Sequence, residues 1–275
     1  MNTQRVASIA LMAIVTGIGC GGGRAQDAAA RTEDAEQQAA NVQLAETPET
    51  PVKAIRPAAA SAATGGASLQ GIVHWSGTAP TREKISMDAD PVCQQQHAQA
   101  AYKEDVIVNN ATLGNVLVYL KEGVSGSYSA PSTPVVLNQA GCMYKPHVAG
   151  IRVNQPLQIV NSDSTLHNIN AKPTANRPFN VAQPVQGMKT DKTFTKPEVM
   201  VKFKCNVHPW MNAYLGVLEH PFFAVTGEDG SFTIAGVPDG TYVLEAWHEV
   251  YGAKTQNVTV SGGRVSPVEF TFSAQ

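Results

Sequence analysis

The most constraining stretch of this sequence is an alternation that ends in a cysteine. One face carries Val199, Val201, Phe203 and Cys205, and the opposite face carries Lys202 and Lys204. Strict alternation predicts a β-strand with one buried and one solvated face. The lysine face is the solvated one, so the side chain of Cys205 is expected to point toward the core.

The rest of the sequence also favours β-structure. Gly (23) and Pro (17) are frequent, and long helical periodicity is scarce. The dipeptides Asp229-Gly230 and Asp239-Gly240 lie between alternating runs, which is a strong hairpin signal. Hydrophobic residues make up 43% of the chain, enough for a sizeable core, and the formal net charge of −2 gives no basic field for nucleic acid. The prediction is an all-β protein with no nucleic-acid partner.

Three soft metal ligands follow the predicted strand within one short loop. Cys205, His208 and Met211 supply a thiolate, an imidazole and a thioether, and Pro209 stiffens the turn between them. This set favours copper over magnesium, calcium or manganese, and zinc sites rarely use methionine. A single cysteine in the loop indicates one metal ion. The remaining ligand should come from a distant strand, and His167, at a predicted strand end, is the best candidate. The alternative is a β-protein in which these side chains are ordinary core residues.

The N-terminus predicts export. Arg5 precedes an apolar run over 6–18, and Gly19 and Cys20 follow. This pattern is typical of a secretory signal and resembles a lipoprotein signal in which Cys20 is acylated. Secretion without lipidation is the alternative, since Gly17 stands where the lipoprotein pattern prefers an aliphatic residue. Residues 21–67 are poor in aromatic residues and are interpreted as a disordered tether.

The four cysteines of the sequence are expected to serve lipidation, metal binding and a disulfide. If Cys20 carries lipid and Cys205 carries metal, Cys93 and Cys142 remain, and an oxidising compartment favours a disulfide between them. Two alternatives stay open at this point. One is a pair of buried free thiols, and the other is a second metal site at Cys93 with His97 or at Cys142 with His147.

Residues 134–219 resemble a cupredoxin. The resemblance rests on Tyr144-x-Pro146, on Leu157-x-Ile159-x-Asn161-x-Asp163 with His167-Asn168, and on the Cys205 to Met211 loop in its short spacing. It implies a Greek-key β-sandwich with one type 1 copper ion. His167, Cys205 and His208 would be equatorial ligands, Met211 would be axial, and Asn168 would tie down the cysteine loop. It also implies that the ring edge of His208 lies in an apolar surface patch with Pro209 and Trp210.

The flanking residues resemble a second family. The pattern Asp229-Gly230-x-Phe232 with Pro238-x-Gly240-x-Tyr242 is similar to a carboxypeptidase regulatory-like (Cna-B-type) β-sandwich. Its first strands are expected far upstream, at 71–73 and 116–120. The expected organisation is therefore a signal peptide (1–20), a tether (21–67), the first regulatory-like strands (69–133), the copper domain (134–219) and the remaining regulatory-like strands (220–275). The copper domain is expected to be inserted in the small sandwich.

The cupredoxin resemblance implies a one-electron carrier that docks transiently with a redox protein. The N-terminal signal predicts that it lies in the periplasm or on the outer cell surface, held at the membrane only through a lipid anchor. Copper sequestration or delivery is one alternative, and a non-redox surface interaction module is another. An enzyme is not expected. The seven histidines include no His-x-His pair, and no haem-attachment motif or phosphate-binding loop is present.

Overall fold

Residues 66–274, the part of the chain that a computed structural model describes, form two β-sandwiches. The export signal 1–20, the acylation site Cys20 and the tether up to residue 65 lie outside the described residues. Among residues 66–274, no helix is long and apolar enough to cross a membrane.

The first sandwich, here the terminal sandwich, is built from both ends of the described range. Its strands are β1 (Ala67–Ser76), β2 (Val108–Asn109), β3 (Thr112–Leu113), β4 (Leu117–Glu122), β14 (Phe223–Val225), β15 (Ser231–Val237), β16 (Gly240–His248), β17 (Gly252–Val260) and β18 (Val268–Ser273). One sheet has the order β15-β1-β3-β2, with β18 also paired to β1, and the other has the order β14-β4-β16-β17. Side chains from both sheets, among them Val73, Leu120 and Phe270, form one buried cluster between them.

The second sandwich, here the inserted sandwich, is formed by the chain between β4 and β14. Its strands are β5 (Val135–Gln139), β6 (Tyr144–Lys145), β7 (Val148–Arg152), β8 (Pro156–Asn161), β9 (His167–Ala171), β10 (Phe179–Gln183), β11 (Lys189–Thr193), β12 (Glu198–Lys204) and β13 (Asn212–Leu218). The sheet orders are β11-β8-β5-β6 and β10-β9-β12-β13-β7. The chain crosses repeatedly between these sheets, and their facing side chains share a second buried cluster.

The insertion is visible in the pairing of β1. This strand pairs antiparallel with β15 and parallel with β18, so the upstream strand belongs to the same sheet as the C-terminal strands. Gly71 makes the tight packing possible, because a Cβ there would lie 2.2 Å from the carbonyl oxygen of Val268. A third buried cluster, which includes Leu117 of β4 and Val148 of β7, joins the two sandwiches.

The predicted alternation is present in β12 from Val201 onward, whereas Val199 is only half-buried and lies where the pairing with β13 shifts register. Val201, Phe203 and Cys205 are buried, whereas Lys202 and Lys204 are exposed. Cys205 directly follows the strand and belongs to the buried cluster of the inserted sandwich.

Several elements differ from the sequence-based expectation. The sequence of residues 170–198 is rich in proline and other loop signals, but this stretch contains β10 and β11. Both are edge strands that pair on one side only, and β11 (KTDKT) has no apolar residue that would signal a strand. The short helix α1 (Pro91–Gln95) lies in a stretch that showed no periodicity. Strand β1 begins at Ala67, within the expected tether, because Ala67 is buried and pairs with Val237.

Candidate metal centre

Two strand ends and one loop bring the predicted equatorial ligands together. His167 is the first residue of β9, Cys205 directly follows β12, and His208 lies in the loop between β12 and β13. The ligand atoms of these three residues lie within 4.8 Å of one another. All three side chains are buried, with exposures of 0%, 3% and 2% respectively.

The loop itself is closed by its own backbone. The N–H of Cys205 donates to the carbonyl oxygen of Met211 at 3.1 Å, and the N–H of Met211 donates to that of His208 at 2.9 Å. These two bonds hold the turn in a fixed shape and return the chain to β13. Met211 is fully buried in the core of the inserted sandwich, and its role as axial ligand stays a prediction.

The sulfur of Cys205 sits among hydrogen-bond donors. The backbone N–H groups of Asn168 and His208 donate to it at 3.5 and 3.4 Å. Burial would raise the pKa of this thiol, but bonds to His167, His208 and these two N–H groups outweigh burial and lower the pKa to about 5. Cys205 is therefore a thiolate at neutral pH, the form in which cysteine binds a metal.

The imidazole rings of His167 and His208 face each other through their Nδ1 atoms. Nε2 of His167 donates to Asp163 at 2.8 Å, and Nε2 of His208 donates to Asp90 at 3.0 Å. Carboxylates only accept, so each Nε2 carries the hydrogen and each neutral ring presents a bare Nδ1. The two Nδ1 atoms are 2.9 Å apart, with the Cys205 sulfur 3.8 Å from that of His208.

Two facing lone pairs at this separation repel unless a proton or a metal cation lies between them. Burial would lower the pKa of His167, but the bond to Asp163 and the Cys205 thiolate raise it to about 9. The pocket therefore favours a positive charge at this point. Two imidazole nitrogens and one thiolate are the equatorial ligand set of a blue-copper site, so the donors fit copper.

Asn168 links the strand of the first histidine to the cysteine loop. Its Oδ1 accepts from the backbone N–H of Asn206, and its Nδ2 donates to Oδ1 of Asn180. The hydroxyl of Tyr144 donates to the carbonyl oxygen of Asn168 at 2.6 Å. The backbone of Asn168 is thus held from both sides while its N–H contacts the cysteine sulfur.

The other two cysteines in the described range, Cys93 and Cys142, form a disulfide. Neither sulfur is then a thiolate, which removes the alternative of a second metal site. His97 instead bonds the carbonyl oxygen of Gly141 at 2.7 Å, and His147 pairs with Glu249.

The expectation of a solvent-exposed ring edge at His208 is wrong. The connection between β1 and β2 lies over this ring, with Asp90 bound to Nε2 and the sulfur of Cys93 3.5 Å from the same nitrogen. Trp210 packs beside the ring with centroids 5.2 Å apart, and its Nε1 donates to the carbonyl oxygen of Cys142 at 3.0 Å.

Two carboxylates of the site were not recognised from the sequence as functional. Asp163 was noted only as part of a motif, yet it accepts from His167 and from the N–H groups of Gly141 and Cys142. Asp90 was not noted at all. Its one signal is the dipeptide Asp90-Pro91, a helix N-cap followed by proline at the first helical position.

A family model matches the C-terminal part of the chain. Residues 212–273 match the model of the Carboxypeptidase regulatory-like domain. This match starts at β13, which pairs in the inserted sandwich, and it leaves out β1 to β4. No curated protein matches the chain.

Three solved structures illustrate the structural likenesses. A Cu-containing nitrite reductase from Thermus scotoductus SA-01 is 24% identical over 36% of this chain and 26% of its own, with a TM-score of 0.31. A purple cupredoxin from Nitrosopumilus maritimus is 26% identical over 27% and 81%, with a TM-score of 0.24. An oxidised variant of amicyanin is 19% identical over 30% and 79%, with a TM-score of 0.27.

The alignment thus spans about a quarter of the nitrite reductase. At TM-scores this low the superpositions establish no overall equivalence, and the architecture is defined by the strand pairing and the two cores described above. The chain is an all-β protein of two sandwiches over its described residues, and its residues 212–273 are similar to the carboxypeptidase regulatory-like domain.

Proposed function

We propose that this chain is an exported mononuclear type 1 copper protein that carries one electron at a time. The observation that carries the proposal is the pair of Nδ1 atoms 2.9 Å apart beside the Cys205 thiolate, with both Nε2 atoms bound to carboxylates. Bound copper would supply a couple between its two oxidation states. His167, Cys205 and His208 would hold the ion, and Met211 would be its axial ligand.

The surroundings of the ligands suit electron transfer. The three side chains are at most 3% exposed, and their partners come from β9, from the cysteine loop and from two separate connections. A buried, multiply bonded ligand set changes little when the charge of the ion changes, so reorganisation is small. The thiolate accepts two N–H bonds, which stabilise its negative charge and help to set the reduction potential.

Spectroscopy of the full-length chain loaded with copper tests the proposal. An intense visible band, a narrow copper hyperfine splitting and reversible reduction are expected. Cys205→Ala should abolish the band, and Met211→Leu should keep copper but change the spectrum and the potential. His74→Ala, at a half-buried histidine of the terminal sandwich, is the control and should change nothing. A band that survives in Cys205→Ala places the site elsewhere, and absence of copper binding favours the surface interaction module.

Location and partner belong to the same proposal. The sequence supports acylation at Cys20, which would hold the protein on the periplasmic or outer face of a membrane while it meets a redox protein transiently. Membrane fractionation of a Cys20→Ala variant tests this, since release into the soluble fraction is expected. Retention in the membrane fraction would contradict the anchor.

A further inference from the structure

A segment of the terminal sandwich's chain packs over the candidate metal centre of the inserted sandwich. Residues 84–97, here named the cover, include α1 and lie in the connection between β1 and β2. Ile85, Met87 and Cys93 of the cover are at most 6% exposed and belong to the buried core of the inserted sandwich. The cover therefore packs as part of the sandwich that it lies on.

Asp90 joins the cover to a metal-ligand candidate. Its Oδ1 caps α1 by accepting from the backbone N–H groups of Val92 at 2.9 Å and Cys93 at 3.3 Å. Its Oδ2 accepts from Nε2 of His208 at 3.0 Å and from the hydroxyl of Thr165 at 2.8 Å. The same carboxylate thus fixes the helix of the cover and the ring of His208.

Two further contacts fasten the cover beside the site. Cys93 is joined by the disulfide to Cys142, and Nε2 of His97 bonds the carbonyl oxygen of Gly141. The N–H groups of Gly141 and Cys142 in turn donate to Asp163, the partner of His167. The fastening point of the cover and both histidine partners therefore form one connected network.

We propose that residues 84–97 are a disulfide-fastened cover, in which Asp90 positions His208 and which keeps a bound copper ion from exchanging. The inference rests on the proposed function and deepens it, because a closed site suits a carrier that retains its ion, whereas a delivery protein must release it. The bond from Asp90 fixes the ring tautomer with Nδ1 free for the metal and makes that nitrogen a stronger donor. Asp90 and Cys93 of the cover lie against the Nε2 side of His208, and the residue is only 2% exposed.

The test uses full-length Cys20→Ser protein, in which Cys205 is the one thiol while the disulfide is intact. The double variant Cys93→Ala/Cys142→Ala unfastens the cover, and Asp90→Asn weakens its bond to His208 while leaving an amide oxygen to cap α1. Ser86→Ala is the matched control, because Ser86 lies on the cover but its hydroxyl contacts only Asp88. Circular dichroism first establishes that each variant is folded.

The first measurement is the rate at which a neutral maleimide modifies Cys205 in metal-free protein. The second is the rate at which a chelator removes copper from loaded protein. Both rates should rise at least about 10-fold in the double variant, less in Asp90→Asn, and not at all in Ser86→Ala. Asp90→Asn should also raise the reduction potential, because an anion that stabilises the more positive oxidation state is lost, and Asp90→Glu should restore it in part.

Unchanged rates in the folded double variant would overturn the cover. If that variant fails to fold, unchanged rates and an unchanged potential in Asp90→Asn overturn it instead. Faster maleimide reaction with unchanged copper loss would overturn retention. If the chain binds no copper, the proposed function fails, and the maleimide measurement still decides whether the cover closes the pocket.

Discussion

Asn168→Ala tests whether the cysteine loop is held by a side chain of the first-histidine strand. The substitution leaves the backbone N–H that donates to the Cys205 sulfur, but it removes the bonds of the side chain to Asn206 and Asn180. The side chain is only 7% exposed, so both lost bonds count. At a net value of about 0.5–1.5 kcal/mol each, the expected loss in free energy of unfolding is about 1–3 kcal/mol.

Thermal or urea unfolding of the metal-free chain measures this loss. A loss of about 2 kcal/mol corresponds to a fall in Tm of roughly 4–8 °C for a domain of this size. Asn170→Ala is the matched control, because Asn170 also bonds Asn206, but through an exposed side-chain contact of 3.1 Å. That variant should stay within about 0.5 kcal/mol of the parent. Equal effects of the two substitutions, or a loss below about 0.5 kcal/mol for Asn168→Ala, would refute the role of Asn168 in tying the loop.

Two further predictions address strand β1 of the terminal sandwich and the thiolate of Cys205. Gly71→Ala should destabilise the chain by about 1–3 kcal/mol in urea unfolding, since its Cβ would meet the Val268 carbonyl oxygen, whereas Ile72→Ala, at a side chain 39% exposed, should cost less than about 1 kcal/mol. A tolerated Gly71→Ala would contradict the close approach of β1 and β18. In metal-free Cys20→Ser protein, the ultraviolet thiolate absorbance of Cys205 should persist as pH falls and disappear near pH 5, because its pKa is lowered from the ordinary 9.0 to about 5. The stability that this thiolate contributes is fully present above pH 9.0 and lost as pH falls through 5, and a midpoint near 9.0 would contradict the assignment.

The meeting of His167, Cys205 and His208 was predictable because its signals are local. Strand β12 alternates from Val201 to Lys204, so the direction of Cys205 follows from its parity, and His208 lies three residues further on. The position of His167 was predictable for the same reason, because a strand boundary is expected just after the turn at Asp163. Spacing along one strand and one turn is set by backbone geometry, which the sequence records directly.

The closing half of the site was not predictable, because it depends on contacts between distant segments. Asp90 meets His208 across 118 residues, and Cys93 meets His208 across 115. No periodicity in 78–105 indicates which surface that segment covers, and a five-residue helix is too short to show an apolar face. The expectation of an exposed His208 edge failed for this reason: it followed from the inserted sandwich alone.

The insertion also explains why the family model matches only part of the terminal sandwich. The matched range 212–273 contains β14 to β18, whereas β1 to β4 lie upstream of the whole inserted sandwich. A continuous alignment cannot join the two halves across that distance, although β1 pairs with both β15 and β18. The range also includes β13, which follows the ligand loop and pairs with β7 and β12 instead.

The site is therefore a property of both sandwiches together. The inserted sandwich supplies His167, Cys205 and His208, while the partner of the His208 ring comes from a connection that starts and ends in host strands. The disulfide joins that connection to the hairpin between β5 and β6, so it links the chain of the terminal sandwich covalently to the inserted sandwich. An isolated inserted sandwich would keep its donor atoms but lose Asp90 and the cover. Insertion leaves the chain of the terminal sandwich on both sides of the inserted sandwich, and this arrangement lets the connection between β1 and β2 reach the candidate metal centre and cover it.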